Sequence, residues 1–232
     1  MLARVCCVLI GYCCGLLQTG YIYGKLNGID IRSVGSGNAG TTNMLRTLGP
    51  KAGLITRLFD ALKTVFAISI SWLVFHASIA DIMPLLELYA AAGAILGHDF
   101  PFYMHFKGGK GIAATAGLIL GLHDPIILIL GIITFFGIFA TTHYVSLGSL
   151  AVYVGLVTEC VVMGQLHYGR FKVLSQNSLI EFYVVLILLA VLAFYQHRAN
   201  IHRLLTGTER KTYISKEKNK AEAERYNNIV NK

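Results

Sequence analysis

Seven apolar segments divide this chain of 232 residues, and they restrict its fold more than any other feature. They are Val5–Leu17, Val65–Phe75, Leu85–Leu96, Ile112–Leu122, Ile126–Ala140, Val145–Met163 and Ile180–Phe194. A membrane-crossing helix needs about 20 apolar residues, a length that several segments reach only with their polar flanks. One short segment alone would equally suit a buried helix of a soluble protein. Seven in one small chain predict an all-α, polytopic membrane protein with about seven transmembrane helices.

Composition supports this class, because 55% of the residues are hydrophobic and 14% are charged. The first apolar segment is interpreted as a retained helix, since no small-x-small cleavage pattern follows it. Four of the five cysteines lie in that segment, and cysteines in apolar helices usually behave as small hydrophobic residues. Their spacing fits no metal site, so we expect neither disulfides nor a bound metal.

Basic residues indicate the orientation in the membrane. They are concentrated after the first, third and seventh apolar segments, at Lys25, Arg32, Arg46, Lys51, Arg57, Lys63, Lys107, Lys110 and from Arg198 onwards. The intervening loops carry few, namely Arg170 and Lys172. By the positive-inside rule, the N-terminus is predicted outside and the C-terminus in the cytoplasm. An odd number of helices follows, and seven fits.

The chain is predicted to form one membrane domain, residues 1–207, followed by a charged cytoplasmic tail, residues 208–232. The tail is poor in apolar residues and mixed in sign, which is typical of a short surface helix or a flexible segment. A solvated tail is favoured over one that binds anionic lipid or a partner. No nucleic-acid motif is present, and the net charge of +8 is better explained by the membrane face.

The first glycine-rich loop reads G-S-G-N-A-G-T-T-N-M-L-R, from Gly35 to Arg46. Glycine allows close approach of the backbone to a ligand, and short polar side chains donate hydrogen bonds to phosphate oxygens. Arg46 adds a guanidinium that binds phosphate through two parallel hydrogen bonds. A tight turn followed by a helix cap is the plainer alternative. The candidate ligand-binding residues are Ser36, Gly37, Asn38, Gly40, Thr41, Asn43 and Arg46.

The second glycine-rich loop reads F-K-G-G-K-G, from Phe106 to Gly111. Lys107 and Lys110 flank Gly108 and Gly109, which again combines positive charge with an accessible backbone. A Walker A loop would have Ser or Thr after Lys110, so nucleotide binding is disfavoured. His98, just upstream, suits either a base or a structural hydrogen bond.

Three further clusters carry polar chemistry. Arg57, Asp60 and Lys63 are three residues apart on one helix face, which suits an ion-pair network or a contact with ligand. Ser146 and Ser149 lie in the sequence Y-V-S-L-G-S. His197 and Asn200 lie in Y-Q-H-R-A-N, where a snorkelling basic helix end is the alternative to gripping a polar head group.

One acyltransferase-like pattern is rejected. His76 and Asp81 form H-x-x-x-x-D, but they lie in a predicted outer loop, away from every basic loop. Chance occurrence is the better interpretation.

Taken together, these motifs resemble the bacterial acyl-phosphate:glycerol-3-phosphate acyltransferase family. The matching patterns are G-I-D-I-R-S-V, G-S-G-N-A-G-T-T-N-M-L-R, G-H-D-F-P-F-Y-M-H-F-K-G-G-K-G-I-A-A-T, Y-V-S-L-G-S and H-R-A-N-I-H-R-L-L-T-G, in order from about Gly15 to Gly207. The resemblance implies a seven-helix bacterial membrane enzyme with its active site at the cytoplasmic leaflet. It implies transfer of a fatty acyl group from acyl phosphate to the 1-hydroxyl of sn-glycerol 3-phosphate, giving lysophosphatidic acid and phosphate.

Residue roles follow from the same resemblance. Ser36 to Asn43 would form the acyl-phosphate pocket, while Arg46, Lys110, His197 and Asn200 would hold and neutralise the substrates. No protein nucleophile, metal or cofactor is implied. The expected partners are the two substrates and membrane lipid, with a further association with the enzyme that makes acyl phosphate open.

This chain departs from the family at three positions. The family often has Ser at Leu16, Gly at Thr64 and Arg at His143. An imidazole at His143 would give a weaker phosphate contact than Arg.

Two other functions remain as alternatives. A transporter for phosphorylated solutes would share the basic loops, but it should carry polar residues near the midplane of several helices. Here the polar clusters lie at one membrane face, which favours an interfacial enzyme. A noncatalytic scaffold would leave the glycine-rich loops unexplained.

Overall fold

The computed structural model describes residues 1–230, and within that part of the chain it is entirely helical. The α-helices are α1 (Leu2–Gly15), α2 (Thr19–Leu26), α3 (Thr41–Leu48), α4 (Pro50–Phe75), α5 (Met83–Asp99), α6 (Ile112–Gly121), α7 (Pro125–Thr142), α8 (Val145–Gln165), α9 (Gln176–Gln196), α10 (Arg198–Leu205) and α11 (Lys216–Val230). Short 3₁₀ helices cover Ile31–Ser33, Ala80–Ile82, Phe102–Met104 and Gly169–Val173. The predicted all-α fold is confirmed.

Six helical segments in residues 1–230 are long and apolar enough to cross a membrane. They are Leu2–Leu26, Pro50–Phe75, Ala80–Met104, Pro125–Thr142, Val145–Gln165 and Gln176–Gln196. The remaining apolar segment forms α6, which has 10 residues. At about 1.5 Å per residue, α6 spans about 15 Å, half of a hydrocarbon core about 30 Å thick. The polytopic architecture is therefore confirmed, with six full-length spans and one half-length helix.

Helix α5 is the centre of the bundle. Nearly all of its residues are buried, and it packs against α1, α4, α6 and α9. The contact with α1 is unusually close, because a Cβ added at Gly93 would lie 2.2 Å from the carbonyl oxygen of Val8. A Cβ at Gly15 would lie 2.3 Å from the carbonyl oxygen of Ala94. Small residues let two helix backbones meet in this way inside a membrane, where van der Waals packing drives association.

Helix α7 shows the opposite pattern and faces outwards. Only Ile127 and Phe135 are buried in it, whereas apolar side chains such as Ile129 and Ile133 are more than half exposed. An exposed apolar surface of this kind is what a lipid-facing helix requires. Its N-terminus is capped by Asp124, whose carboxylate accepts from the amides of Ile126 (2.9 Å) and Ile127 (3.3 Å). The helix therefore begins at a defined polar boundary.

The charged tail is ordered against the membrane domain. After α10 the chain crosses α8 and α3, and α11 packs beside α3. The Thr212 amide joins it to that domain by donating to the His143 carbonyl (2.9 Å), while bonds of the Asn219 side chain to the Tyr213 backbone and of the Lys211 amide to Glu222 (3.1 Å) hold the tail together internally. The tail was predicted to be a short surface helix or a flexible segment, and α11 fits the first of these. The last two residues of the predicted tail lie outside the described residues.

Candidate active site

A polar pocket of about 140 Å³ lies where the ends of several helices meet. The loop before α3, the start of α3, the first turns of α4, the start of α6 and α8, and the segments after α5 and α9 all contribute to it. Its lining includes most of the predicted site residues, namely Ser36, Asn38, Gly40, Thr41, Asn43, Arg46, Lys110, Ser146, Ser149, His197 and Asn200. The fold thus brings together motifs that are up to 164 positions apart.

Two asparagines hold the first glycine-rich loop. The Asn43 amide donates to the carbonyls of Ile31 (3.1 Å) and Val34 (3.0 Å), and its oxygen accepts from the Ser36 amide. Asn38 bridges the two loops, donating to the Gly108 carbonyl (3.3 Å). The predicted donor Asn43 is therefore used within the protein, because loop carbonyls take both of its amide hydrogens. Its contribution to the site is to shape the loop.

The start of α3 is the part of this loop that faces the pocket. Gly40 is its N-cap, and Thr41 begins the helix with a buried hydroxyl that has no hydrogen-bond partner in the described structure. The amides of a first helical turn have no partner within the helix and carry a partial positive charge. Gly40, Thr41 and Thr42 all line the pocket, so this end can bind an anion.

The second glycine-rich loop differs from its prediction. The amide of Gly108 donates to the Asp99 carbonyl and that of Gly109 to the His98 carbonyl, each at 3.0 Å, so both amides cap α5. A Cβ at Gly109 would lie 1.9 Å from Nε2 of His98, which explains the need for glycine. Gly37, Lys107, Gly108 and Gly109 do not line the pocket, and Lys107 is exposed. The loop instead positions Lys110 at the pocket.

Lys110 begins a chain of polar contacts across the pocket. Its ammonium donates to Oδ1 of Asn200, and Nδ2 of Asn200 donates to Oε1 of Glu209 (2.7 Å). The same oxygen accepts from the Ser146 hydroxyl (2.8 Å), while Oε2 accepts from Nε of Arg203 (2.8 Å). Burial, assisted by nearby cations, lowers the pKa of Lys110 to about 8.

Arg46 is held by the segment that follows α10. Its Nε and Nη2 donate to the Thr212 hydroxyl at 3.0 and 2.6 Å, and Nη2 also donates to the Arg210 carbonyl at 2.7 Å. Burial lowers the pKa of Arg46 to about 10, so the guanidinium remains charged at neutral pH. Part of the predicted tail is thus a wall of the pocket.

His197 offers an acceptor rather than a positive charge. Its Nδ1 lies 2.8 Å from the Ala193 carbonyl and must carry the hydrogen, which leaves Nε2 unprotonated when the ring is neutral. Burial, together with the charge of Lys110, lowers the pKa of His197 to about 4. When neutral, His197 therefore offers Nε2 as an acceptor, and the role in holding and neutralising the substrates that the resemblance implies for it stays a prediction.

The predicted ion-pair network on α4 forms in part. Lys63 donates to Oδ1 of Asp60 (3.0 Å), to the Leu17 carbonyl (2.7 Å) and to Nδ1 of His98 (2.8 Å). Asp60 and Lys63 are almost fully buried, and Asp60 and His98 line the pocket. Arg57 is separate from this pair. Its guanidinium lies over the ring of Phe135, 4.9 Å from the centroid, as a cation–π contact.

The side chains that line the pocket leave a surplus of positive charge. Four are cationic (Arg46, Arg57, Lys110 and Arg203) and two are carboxylates (Asp60 and Glu209). The three serines Ser36, Ser146 and Ser149 add hydroxyls, although that of Ser149 donates back to the Val145 carbonyl of its own helix (2.7 Å). A pocket with surplus positive charge and a free helix N-terminus suits phosphorylated ligands.

An apolar groove of about 360 Å³ lies beside this pocket. It runs between α4, α6, α7 and α8, and its walls are aliphatic and aromatic, with Leu54, Ile119, Leu128, Ile132 and Phe136 among them. Arg57, Ile112, Phe135 and Ser149 line both the groove and the pocket, so the two are adjacent.

Two charged pocket residues, Arg203 and Glu209, are absent from the predicted site, as are its apolar lining residues. Glu209 lies in the segment interpreted as a solvated tail, yet it is buried and makes three hydrogen bonds. A single carboxylate near a basic helix end forms no recognisable sequence motif. The one indication in the sequence is that Glu209 follows Arg203 by six residues. His143, for its part, ends α7 and contacts the ring of Tyr213, outside the pocket lining.

The rejected pattern remains apart from the pocket. His76 follows the last residue of α4 and stacks on Trp72, while Asp81 lies in the next 3₁₀ helix. Arg57 and His76 are separated by 19 positions of helix, about 28 Å.

These features define an all-helical integral membrane protein whose positively charged pocket lies beside an apolar groove. The glycerol-3-phosphate acyltransferase family model matches residues 5–207. Curated relatives of that name include proteins from Clostridioides difficile, 40% identical over 90% of this chain and 95% of theirs, and from Thermotoga petrophila, 42% identical over 90% and 96%. The chain belongs to the glycerol-3-phosphate acyltransferase family.

Two crystal structures of PlsY, an integral membrane glycerol 3-phosphate acyltransferase, have the same fold. The glycerol 3-phosphate form matches with a TM-score of 0.75 and 30% identity, over 90% of this chain and 96% of that one. The lysophosphatidic acid form matches with a TM-score of 0.72 and 28% identity, over 91% and 96%. The fold of the membrane domain is thus shared with a solved member of the family.

Proposed function

We propose that this protein transfers a fatty acyl group from acyl phosphate to the 1-hydroxyl of sn-glycerol 3-phosphate, giving lysophosphatidic acid and inorganic phosphate. The observation that carries the proposal is a positively charged pocket that shares four lining residues with an adjacent apolar groove. A soluble phosphorylated alcohol suits the first and a fatty acyl chain suits the second. The family and the ligand-bound forms of PlsY support the same acceptor.

The pocket suits a reaction that holds two anions side by side. Arg46 and Lys110 supply positive charge, while the start of α3 and the Ser36 region supply neutral donors for phosphate oxygens. Acyl phosphate is an activated mixed anhydride, so charge neutralisation and orientation are the main requirements. The attacking hydroxyl oxygen bonds to the acyl carbon, the bond from that carbon to the phosphate oxygen breaks, and phosphate leaves with the hydroxyl proton.

A covalent acyl-enzyme is not part of this proposal. Of the three pocket serines, Ser146 donates its hydroxyl hydrogen to Glu209 and Ser149 to the Val145 carbonyl, and none of the three, Ser36 included, bonds a histidine in the described structure. A serine nucleophile is normally activated by an adjacent base such as histidine. Direct transfer between the two substrates is therefore the simpler mechanism, with the donor's phosphate taking the proton.

The proposed setting is a bacterial cell membrane, with the pocket facing the cytoplasm. The basic residues that predict this orientation include Arg46, Lys110 and Arg203, all of which lie at the pocket. Glycerol 3-phosphate would enter from water at this face, while the acyl chain stays among lipids.

Phosphate release by the purified protein tests the proposal. Reconstituted protein is given palmitoyl phosphate with and without glycerol 3-phosphate, and lysophosphatidic acid is measured by mass spectrometry. We expect product only when both substrates are present, with palmitoyl-CoA a poor donor. Equal turnover with palmitoyl-CoA would remove the acyl-phosphate part of the proposal and leave the acyltransferase part standing.

A further inference from the structure

Hydrogen-bond acceptors are scarce among the side chains of this pocket. Its cations and helix amides only donate, which suits phosphate oxygens, whereas its hydroxyls can also accept and Nε2 of neutral His197 is an uncharged acceptor. A glycerol hydroxyl also needs an acceptor for its hydrogen. Of the two carboxylates, Glu209 is already occupied, because one oxygen accepts from Ser146 and Asn200 and the other from Arg203.

Asp60 is different, because only one of its oxygens is used. Oδ1 accepts from the Lys63 ammonium (3.0 Å) and from the Thr19 hydroxyl (3.1 Å). Oδ2 is buried and has no hydrogen-bond partner in the described structure, although Asp60 lines the pocket. A buried carboxylate oxygen without a hydrogen-bond donor costs free energy, so its presence in this structure calls for an explanation.

Lys63 fixes the direction of this carboxylate. The three ammonium hydrogens go to Asp60, to the Leu17 carbonyl and to Nδ1 of His98, so the lysine is fully satisfied and holds Oδ1 in place. With Oδ1 fixed in this way, Oδ2 is the oxygen left for a ligand.

The geometry points to Asp60 as a substrate-specificity residue: its Oδ2 accepts a hydrogen bond from a hydroxyl of the glycerol moiety and selects a phosphorylated polyol over a phosphate ester without hydroxyls. This inference rests on the proposed function for the identity of the acceptor. A negative charge in a pocket for anions opposes phosphate binding, and the hydroxyl contact offsets that cost only for the right ligand. Hydrogen bonds to charged groups of this kind change affinity by about 10- to 100-fold.

Titration calorimetry of the full chain in detergent, without an acyl donor, tests the inference. The ligands are glycerol 3-phosphate and propyl phosphate at pH 8, which carry the same phosphate charge and differ in their hydroxyls. The wild-type protein should bind glycerol 3-phosphate about 10- to 100-fold more tightly. In Asp60→Asn, the amide oxygen can still accept from Lys63, so the NH₂ group faces the pocket. The preference should then disappear, while propyl phosphate binds at least as tightly as before.

Two controls make the result specific. Asp81→Asn is the same change in an exposed residue outside the pocket, and it should keep the wild-type preference. Asp60→Glu keeps a carboxylate for Lys63 but moves the second oxygen, so it should lose much of the preference, and it serves if Asp60→Asn does not fold.

The contrary outcomes are distinct. Equal affinity of the wild-type protein for both ligands would overturn the inference, as would an Asp60→Asn variant that binds both ligands equally weakly, since that marks a purely structural role. Failure of the wild-type protein to bind either phosphate would defeat the inference and the proposed function together. Tight binding of glycerol 3-phosphate with an unchanged preference in Asp60→Asn would defeat the inference alone.

Discussion

Lys110 is a buried cation whose charge depends on pH. It donates to Asn200, and the charges that act on it are those of Arg203, Glu209, Arg46 and Arg198. Because burial lowers its pKa to about 8, the free enzyme loses this positive charge as the pH rises through about 8, well below the ordinary lysine value.

We therefore expect kcat/KM for glycerol 3-phosphate to fall above about pH 8 as one proton is lost, since kcat/KM reports groups of the free enzyme. Lys110→Arg should move this limb to higher pH, because arginine stays charged. The measurement is a pH profile of both proteins. An identical alkaline limb in Lys110→Arg would assign the proton to another group.

Arg46 is expected to bind substrate phosphate through a charge-assisted hydrogen bond. Arg46→Ala should lower kcat/KM by about 10²–10³, the usual loss for one electrostatic contact in a dry site. Arg46→Lys should recover only part of it, since an ammonium cannot reproduce the planar fork. Melting temperature, measured on the same preparations, separates this loss from unfolding. Near-normal kinetics in Arg46→Ala would show that this residue does not hold substrate.

Sequence analysis predicts those site residues whose motif indicates a binding chemistry. Arg46, Lys110 and Asn200 were found from glycine-rich or basic patterns, and all three line the pocket. Asn43 was assigned to ligand because its amide suits phosphate, yet loop carbonyls take its hydrogens. Sequence analysis does not predict Glu209, because the fold brings together the cations around it and no local sequence pattern indicates that they are near.

At the scale of helices, the contact between α1 and α5 depends on glycine. A Cβ at Gly93 would lie 2.2 Å from a backbone oxygen of α1, so Gly93→Ala must push the helices apart. We expect a clear fall in melting temperature in detergent. Gly137→Ala on α7 is the matched control, because nothing lies within 4 Å of its added Cβ. That control should be neutral or slightly stabilising, since alanine favours helix. Equal melting temperatures for the two variants would contradict this packing.

The segment after α10 holds the side chain of Arg46 in place. Thr212→Val keeps the shape of the side chain but removes the hydroxyl that accepts from Nε and Nη2. We expect kcat/KM to fall about 10-fold, the effect of a hydrogen bond to a charged group. Tyr213→Phe, which removes a neighbouring hydroxyl, should have little effect.

Combination with Arg46→Ala tests whether Thr212 acts through Arg46. If it does, Thr212→Val adds nothing once Arg46 is alanine, because the two side chains share one interaction. Additive losses would mean that Thr212 acts on the site by another route.

The sequence predicts the positions of the helices better than it predicts where each helix begins and ends. Apolar segments located all seven membrane helices, but α6 was not expected to stop at 10 residues. Its start follows from Gly111, which has a positive φ of 74° and caps it. In its middle, Gly117 packs closely against the Ala61 carbonyl of α4. Such tertiary contacts are invisible to hydropathy.

The predicted site residues that line the pocket lie together, and His76 and Asp81 are far from them. His76 and Asp81 lie beyond the far end of α4, about 28 Å along the helix from Arg57. His76→Ala and Asp81→Ala should therefore leave turnover nearly unchanged. Initial rates at matched expression test this expectation. A hundredfold loss in either variant would place chemistry at the opposite end and overturn the arrangement.

The groove between α4, α6, α7 and α8 has a kinetic consequence. An acyl chain lying there would never leave the lipid phase, so the relevant concentration of the donor is its mole fraction in the membrane and not its molarity in the sample. Adding inert lipid at constant donor should then slow the reaction by surface dilution, whereas the same dilution with buffer should not. For such an enzyme, the composition of the surrounding bilayer sets the rate as directly as the amount of substrate.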